Sequence, residues 1–137
     1  MANQLMPKGK KKFLDADIDM LVDNIKVVLV DTGQYTFAST HEFLSDVPSG
    51  GRIGTSGNLA NKLTTDGIFD ADDITITVGA SQPTVEAFYV YKDTGSAATS
   101  PLVAWFDSAA GLVFTPPSGG GDVQIQWDNG ANKIFKL

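Results

Sequence analysis

The sequence predicts an all-β protein: a single β-sandwich or barrel-like domain with one or two short helices and a flexible N-terminal arm. Three observations carry this. Alternating or β-branched apolar segments recur from residue 72 to the C-terminus, at the close spacing of antiparallel strands. Glycine, proline, asparagine and aspartate cluster between them, as turns require. The 137 residues fit one domain with room for a core, and the chain shows no internal repeat.

Residues 1–12 read as a basic arm, polar and broken by Pro7 and Gly9, ahead of a β domain spanning 13–137. "FLDADIDMLVDN" suits a short helical turn before the first strand. "IKVVLV" (25–30) is almost wholly aliphatic, which predicts a strand buried on both faces. In "STHEFLSDV", Ser39 precedes Glu42 by three residues, a capping-box pattern that predicts a short helix over 40–45, ended by Pro48 and the glycines after it. "GRIGTSGNLANKL" predicts short or bulged strands. "DITITV" turns Ile74, Ile76 and Val78 to one face and the threonines to the other. "VEAFYVYK" is a further strand, and "PLVAWF" and "GLVFTP" read as a hairpin across "DSAA". "DVQIQW" directs Val123, Ile125 and Trp127 inward. "NG" at 129–130 predicts a type I′ hairpin to "ANKIFKL", with Ile134 and Phe135 returning to the core.

Several chemistries are excluded. There is no cysteine, hence no disulfide, thiolate metal site or cysteine nucleophile. His41 is the one histidine, and no "GxSxG" accompanies it, so a Ser-His-Asp triad is not indicated. It reads as a solvent-facing residue at the start of the short helix. Asp15, Asp17 and Asp19 have the first spacings of a calcium loop, but Met20 and Lys26 stand where the loop needs glycine and glutamate. Asp70, Asp72 and Asp73 read as turn residues. "GGRIGTSG" lacks the ending of a phosphate loop. Trp105, Trp127, Tyr89 and Tyr91 are candidates for a carbohydrate platform, but on strands they read first as core. No cofactor, metal site or catalytic residue is indicated.

Charge is the least ordinary feature. Lys8, Lys10, Lys11 and Lys12 fall within five positions; residues 13–137 then hold six basic against sixteen acidic side chains, a net of −10. An acidic body disfavours direct nucleic-acid binding. No run approaches the ~18 apolar residues of a membrane span, and the lysines are not followed by the apolar core of a secretory leader. The reading is a soluble protein. The partner-binding candidates are therefore Lys8, Lys10, Lys11, Lys12 and Phe13, poised for an acidic surface, with Leu5 and Met6 as further apolar anchors.

"IKVVLVDTGQYTFASTHEFLSDV", "GIFDADDITIT", "AFYVYKDTG" and "WDNGANKIFKL" together resemble a family of small virion structural proteins of tailed bacteriophages, over about residues 14–137. The resemblance implies a capsid decoration (cement) protein on the head shell. Its expected partners are the major capsid protein and other copies of itself, as a homotrimer. It implies synthesis in the bacterial cytoplasm and residence on the capsid surface, and it brings no catalytic residues. A minor tail or tail-fibre-associated protein touching carbohydrate is the alternative, and a glycan-acting β-sandwich enzyme a third.

Overall fold

In a computed structural model that describes residues 3–137, the elements in chain order are β1 (Gln4–Leu5), α1 (Pro7–Leu14), β2 (Ile25–Val30), β3 (Arg52–Thr55), β4 (Ile68–Phe69), β5 (Ile74–Val78), β6 (Ala87–Lys92), β7 (Leu102–Phe106), β8 (Gly121–Ile125) and β9 (Phe135–Lys136). Single 3₁₀ turns lie at Leu44–Asp46, Ser49–Gly51, Thr65–Gly67 and Ala97–Thr99. All pairing is antiparallel. One five-stranded sheet has the order β1-β7-β6-β2-β3, and two ribbons, β4-β9 and β5-β8, stand apart from it. The described residues are thus β-rich with one short α-helix, and their sheets do not close into a barrel.

The aliphatic run predicted to be buried on both faces is the middle of that sheet. Val27 and Leu29 point into one apolar cluster and Val28 and Val30 into another, as the two-residue period demands. On β6, Phe88 and Val90 join the first cluster and Tyr89 and Tyr91 the second. The first cluster lies between the sheet and the ribbons, which contribute Phe69, Ile76, Val78 and Phe135. The predicted alternation of "DITITV" holds: Ile76 and Val78 are buried and Thr75 and Thr77 exposed. The second cluster is closed by the loop over residues 31–51, through Tyr35, Leu44 and Val47. β3 is short and its register shifts opposite Leu29 and Val30, in keeping with its glycines. Ser56 continues the β2 ladder past β3: its Oγ accepts the Val27 N–H at 2.8 Å.

Four expectations are corrected. The hairpin across "DSAA" does not form. Both sides of β7 are occupied, by β6 and by β1, so Phe114 exchanges backbone bonds with Val85 instead. The type I′ turn at Asn129–Gly130 is absent. The Gly130 N–H donates to the Asp128 carboxylate at 3.0 Å, and the left-handed residue is Lys133. β8 accordingly pairs with β5, and β9 with β4. The helix over 40–45 shrinks to the 3₁₀ turn Leu44–Asp46. Asp46, not Ser39, holds that turn, accepting the Glu42 and Phe43 N–H groups at 2.7 and 3.0 Å. Bonds from Leu44 to Ser100 and from Leu102 to Glu42 strap the segment to the start of β7.

The fourth correction concerns the arm. From Asn3 to residue 12 the chain is not loose: β1 pairs with β7, and α1 follows at once. Pro7 sits in the first turn of the helix, where its missing N–H is no loss. Met6 is fully buried, and its N–H donates to Val103 at 2.8 Å. Gly9 seats the helix on β7. A Cβ there would lie 2.7 Å from the Leu102 carbonyl oxygen and 3.2 Å from the Val103 Cα, both backbone atoms that cannot turn aside. Gly9→Ala inside a helix normally stabilises by ~1 kcal/mol. Here overpacking of ~1–3 kcal/mol opposes that gain, so the expected outcome is a lower urea midpoint at unchanged slope. A raised midpoint would mean that α1 does not rest on β7.

Candidate functional site

The surface around α1 contains every residue that charge analysis singled out, but it divides them by role. Lys8, Lys10 and Lys11 are exposed. Lys11 pairs with Asp15 one turn on, and that hydrogen bond, with the charge behind it, raises the ammonium pKa. Lys12 is folded back: its Nζ is 3.3 Å from the Glu42 carboxylate and 5.3 Å from the Phe43 ring centroid. Lys11 and Lys12 in the last turn also suit the negative end of the helix. Phe13 is half-buried against the core, its ring 6.5 Å from that of Phe135. The apolar anchors Leu5, Met6 and Phe13 therefore hold α1 to its own domain. What faces outward is a lysine ridge of Lys8, Lys10 and Lys11, fixed in place on a body of opposite charge.

His41 is half-buried and not simply solvent-facing. Its Nδ1 is 2.6 Å from the Tyr35 hydroxyl, which is 2.6 Å from the Tyr89 hydroxyl in the second core. Burial raises the pKa of both phenols, so the chain is a run of neutral hydroxyls ending on an imidazole. Its spacing of 6 and 54 residues left no mark in the sequence. Removing the middle oxygen tests it. Tyr35→Phe strands the Tyr89 hydroxyl in an apolar core and is expected to cost ~1–3 kcal/mol, whereas His41→Ala leaves the two phenols paired and costs less. Equal effects in thermal unfolding would show that the phenols do not act as a pair.

The aromatic residues considered as a carbohydrate platform are internal. Trp105, Trp127, Tyr89 and Tyr91 are all at least nine-tenths buried. Burial pushes the Tyr91 phenol up to about 12, and the Trp127 indole N–H donates to the Asp72 carbonyl at 3.0 Å. Asp72 and Asp73 are thus turn residues with structural bonds, Asp73 accepting the Trp127 backbone N–H at 2.8 Å. Among the described residues no group of three or more histidine or acidic side chains could hold a metal ion.

One open groove of about 730 Å³ runs beside β8, lined by the rings of Phe88, Phe106, Phe114 and Trp127. Sequence reasoning missed it, because its two walls, residues 106–114 and 122–128, were assigned to separate hairpins. Among the described residues no helix is long and apolar enough to cross a membrane. No family model matches the chain, and no curated protein matches it.

Proposed function

We propose that this chain is a virion structural protein of a tailed bacteriophage, a capsid decoration protein that docks on the head shell through the lysine ridge of α1. The observation that carries the reading is that Lys8, Lys10 and Lys11 stand exposed on a helix pinned by Met6 and Gly9, ahead of residues 13–137, which sum to −10. A cation cluster held on a rigid element binds with little ordering cost. The four sequence stretches that resemble phage virion proteins point the same way. The five-stranded sheet and the two ribbons share one apolar cluster, and we read them as an incomplete β-sandwich, a shape suited to repeated assembly. The docking partner is an acidic patch of the major capsid protein, and copies associate as a trimer about the shell's three-fold positions, with closed symmetry. No catalytic role enters the reading.

The test is binding to capsids that lack the protein. Reversing the ridge with K8E, K10E and K11E together is expected to weaken attachment roughly 10- to 100-fold at low salt. Raising the salt should weaken the wild type toward the same level, while its thermal midpoint stays unchanged. Undiminished binding of the triple variant would remove the ridge from the interface. The second reading, a minor tail component, is favoured by the aromatic groove beside β8. Cryo-electron microscopy of virions separates the two: hundreds of copies on the shell for decoration, a handful at the tail for the alternative.

A further inference from the structure

We propose that the groove beside β8 takes a single extended peptide segment, basic and apolar at alternate positions, as an added β-strand. All four β8 residues from Asp122 to Ile125 line the groove, as do Gln126, Trp127 and Asp128 just beyond the strand. A groove lying over one face of a strand touches alternate residues only, whereas one lying along its edge touches all of them. The groove therefore follows the edge of β8.

That edge is unoccupied by any strand among the described residues. β5 and β8 form a two-stranded ribbon with five paired positions and no register shift. β3 packs on the inward face of β5, where a side chain at Gly54 would meet Ile76 at 3.2 Å and Val78 at 3.4 Å. In an antiparallel pair, alternate residues direct their N–H and C=O groups away from the partner, so β8 presents such groups to the groove.

Proteins blunt free edges with short strands, bulges, lysine or proline. β1 and β9 have two residues each, Pro7 and Lys136 lie at or beside them, and β3 carries an irregularity. β8, "GDVQI", has no bulge, lysine or proline and only the charge of Asp122.

Size and charge commit the site to one strand. Five residues at ~3.4 Å rise, ~4.8 Å from a neighbour and ~10 Å deep, fill a box of ~800 Å³, close to the groove's 730 Å³. Residues 108–112 also border it. Phe88, Phe106 and Trp127 on the floor suit apolar side chains pointing in. The exposed carboxylates of Asp122 and Asp128, against Lys133 alone, suit basic side chains pointing out. This is peptide recognition by strand addition, with affinity from the main chain and selectivity from alternate pockets.

The experiment titrates the ¹⁵N-labelled full chain with a panel of end-blocked heptapeptides alternating valine or phenylalanine with lysine. Binding should shift the amides of residues 121–128 and 108–112 and slow hydrogen exchange at alternate β8 amides. N-methylating alternate peptide nitrogens should weaken binding roughly tenfold or more by removing main-chain donors. Ala110→Trp, at an exposed position on the far wall, should weaken it similarly with an unchanged thermal midpoint; if it alters the midpoint, Ala109→Trp takes its place. Equal binding of the N-methylated peptides, shifts elsewhere on the protein, or no binding by any panel member at millimolar concentration overturns the proposal. So does a response of these amides to chitohexaose and not to peptide, which would make the groove a glycan site.

Discussion

Removing residues 129–137 is expected to leave a chain that does not fold. The last nine residues contain no hairpin, yet they complete the first core. Phe135 is buried with its ring stacked on Phe69 at 5.3 Å, and Phe13 closes over it from α1. Ile134 is buried beside it. The backbone of this segment bonds to β4 and to the turn before it: Ile134 N–H to Phe69 at 3.1 Å, and Leu137 N–H to Gly67 at 3.0 Å. Large-to-small changes at such positions cost ~3–5 kcal/mol for phenylalanine and ~2–5 for isoleucine. Together they match the whole stability of an ordinary domain, ~5–15 kcal/mol. Circular dichroism and size exclusion of the truncated protein should show lost strand signal and aggregation. Phe135→Ala alone should reproduce most of the loss. Gly130→Ala should not, because its Cβ would meet only the exposed Asp128 carboxylate, which can turn aside at the cost of one surface hydrogen bond. A soluble, monodisperse truncation with the wild-type midpoint would mean that Phe69 and Phe13 find other cover.

The strands of this molecule were legible because their signals are local. β2 is a six-residue run that is aliphatic but for Lys26, and β5 and β8 alternate with period two. Which strand pairs with which was not legible. "NG" favours a hairpin locally, but the β5–β8 pairing buries Ile76 and Val78 and shelters Val123 and Ile125. Tertiary burial outweighs turn preference, and Asp128 then takes the Gly130 amide for a different turn. Likewise the place beside β7 that local reasoning gave to residues 111–116 is filled by β1, a hundred residues away. The candidate site was half legible. The lysines stand out by composition, but the helix that carries them was read as an arm because it is polar and holds a proline and a glycine. Its signal was the inward set Met6, Gly9 and Phe13, spaced by three and four, with glycine acting as a contact residue and not as a breaker. Pro7 at the helix start was the second clue.

The same reading reverses what is expected when residues 2–12 are deleted. A loose arm is removed without loss, but this one is built into the sheet. Deletion takes away Met6, which is fully buried in the second core and by itself is worth ~2–5 kcal/mol. It removes both β1 pairings, Gln4 with Trp105 and Leu5 with Ala104. It also removes Asn3, whose Oδ1 accepts the Asp107 and Ser108 N–H groups at 2.9 and 3.0 Å and whose Nδ2 donates to the Ser108 carbonyl at 3.0 Å. The Lys12–Glu42 pair goes as well. What remains exposes β7, an apolar strand with a newly free edge, which is a template for aggregation. At ~2–8 °C per kcal/mol, the thermal midpoint should fall by at least ~10 °C, and the protein should self-associate on concentration. The charge-reversed K8E, K10E, K11E protein should instead lose capsid attachment with its midpoint lowered by no more than a few degrees, since those side chains are exposed and only the surface Lys11–Asp15 pair is lost. The two variants thus separate folding from docking. A deletion protein that stays monodisperse at the wild-type midpoint would show that β1 and α1 are not part of the core.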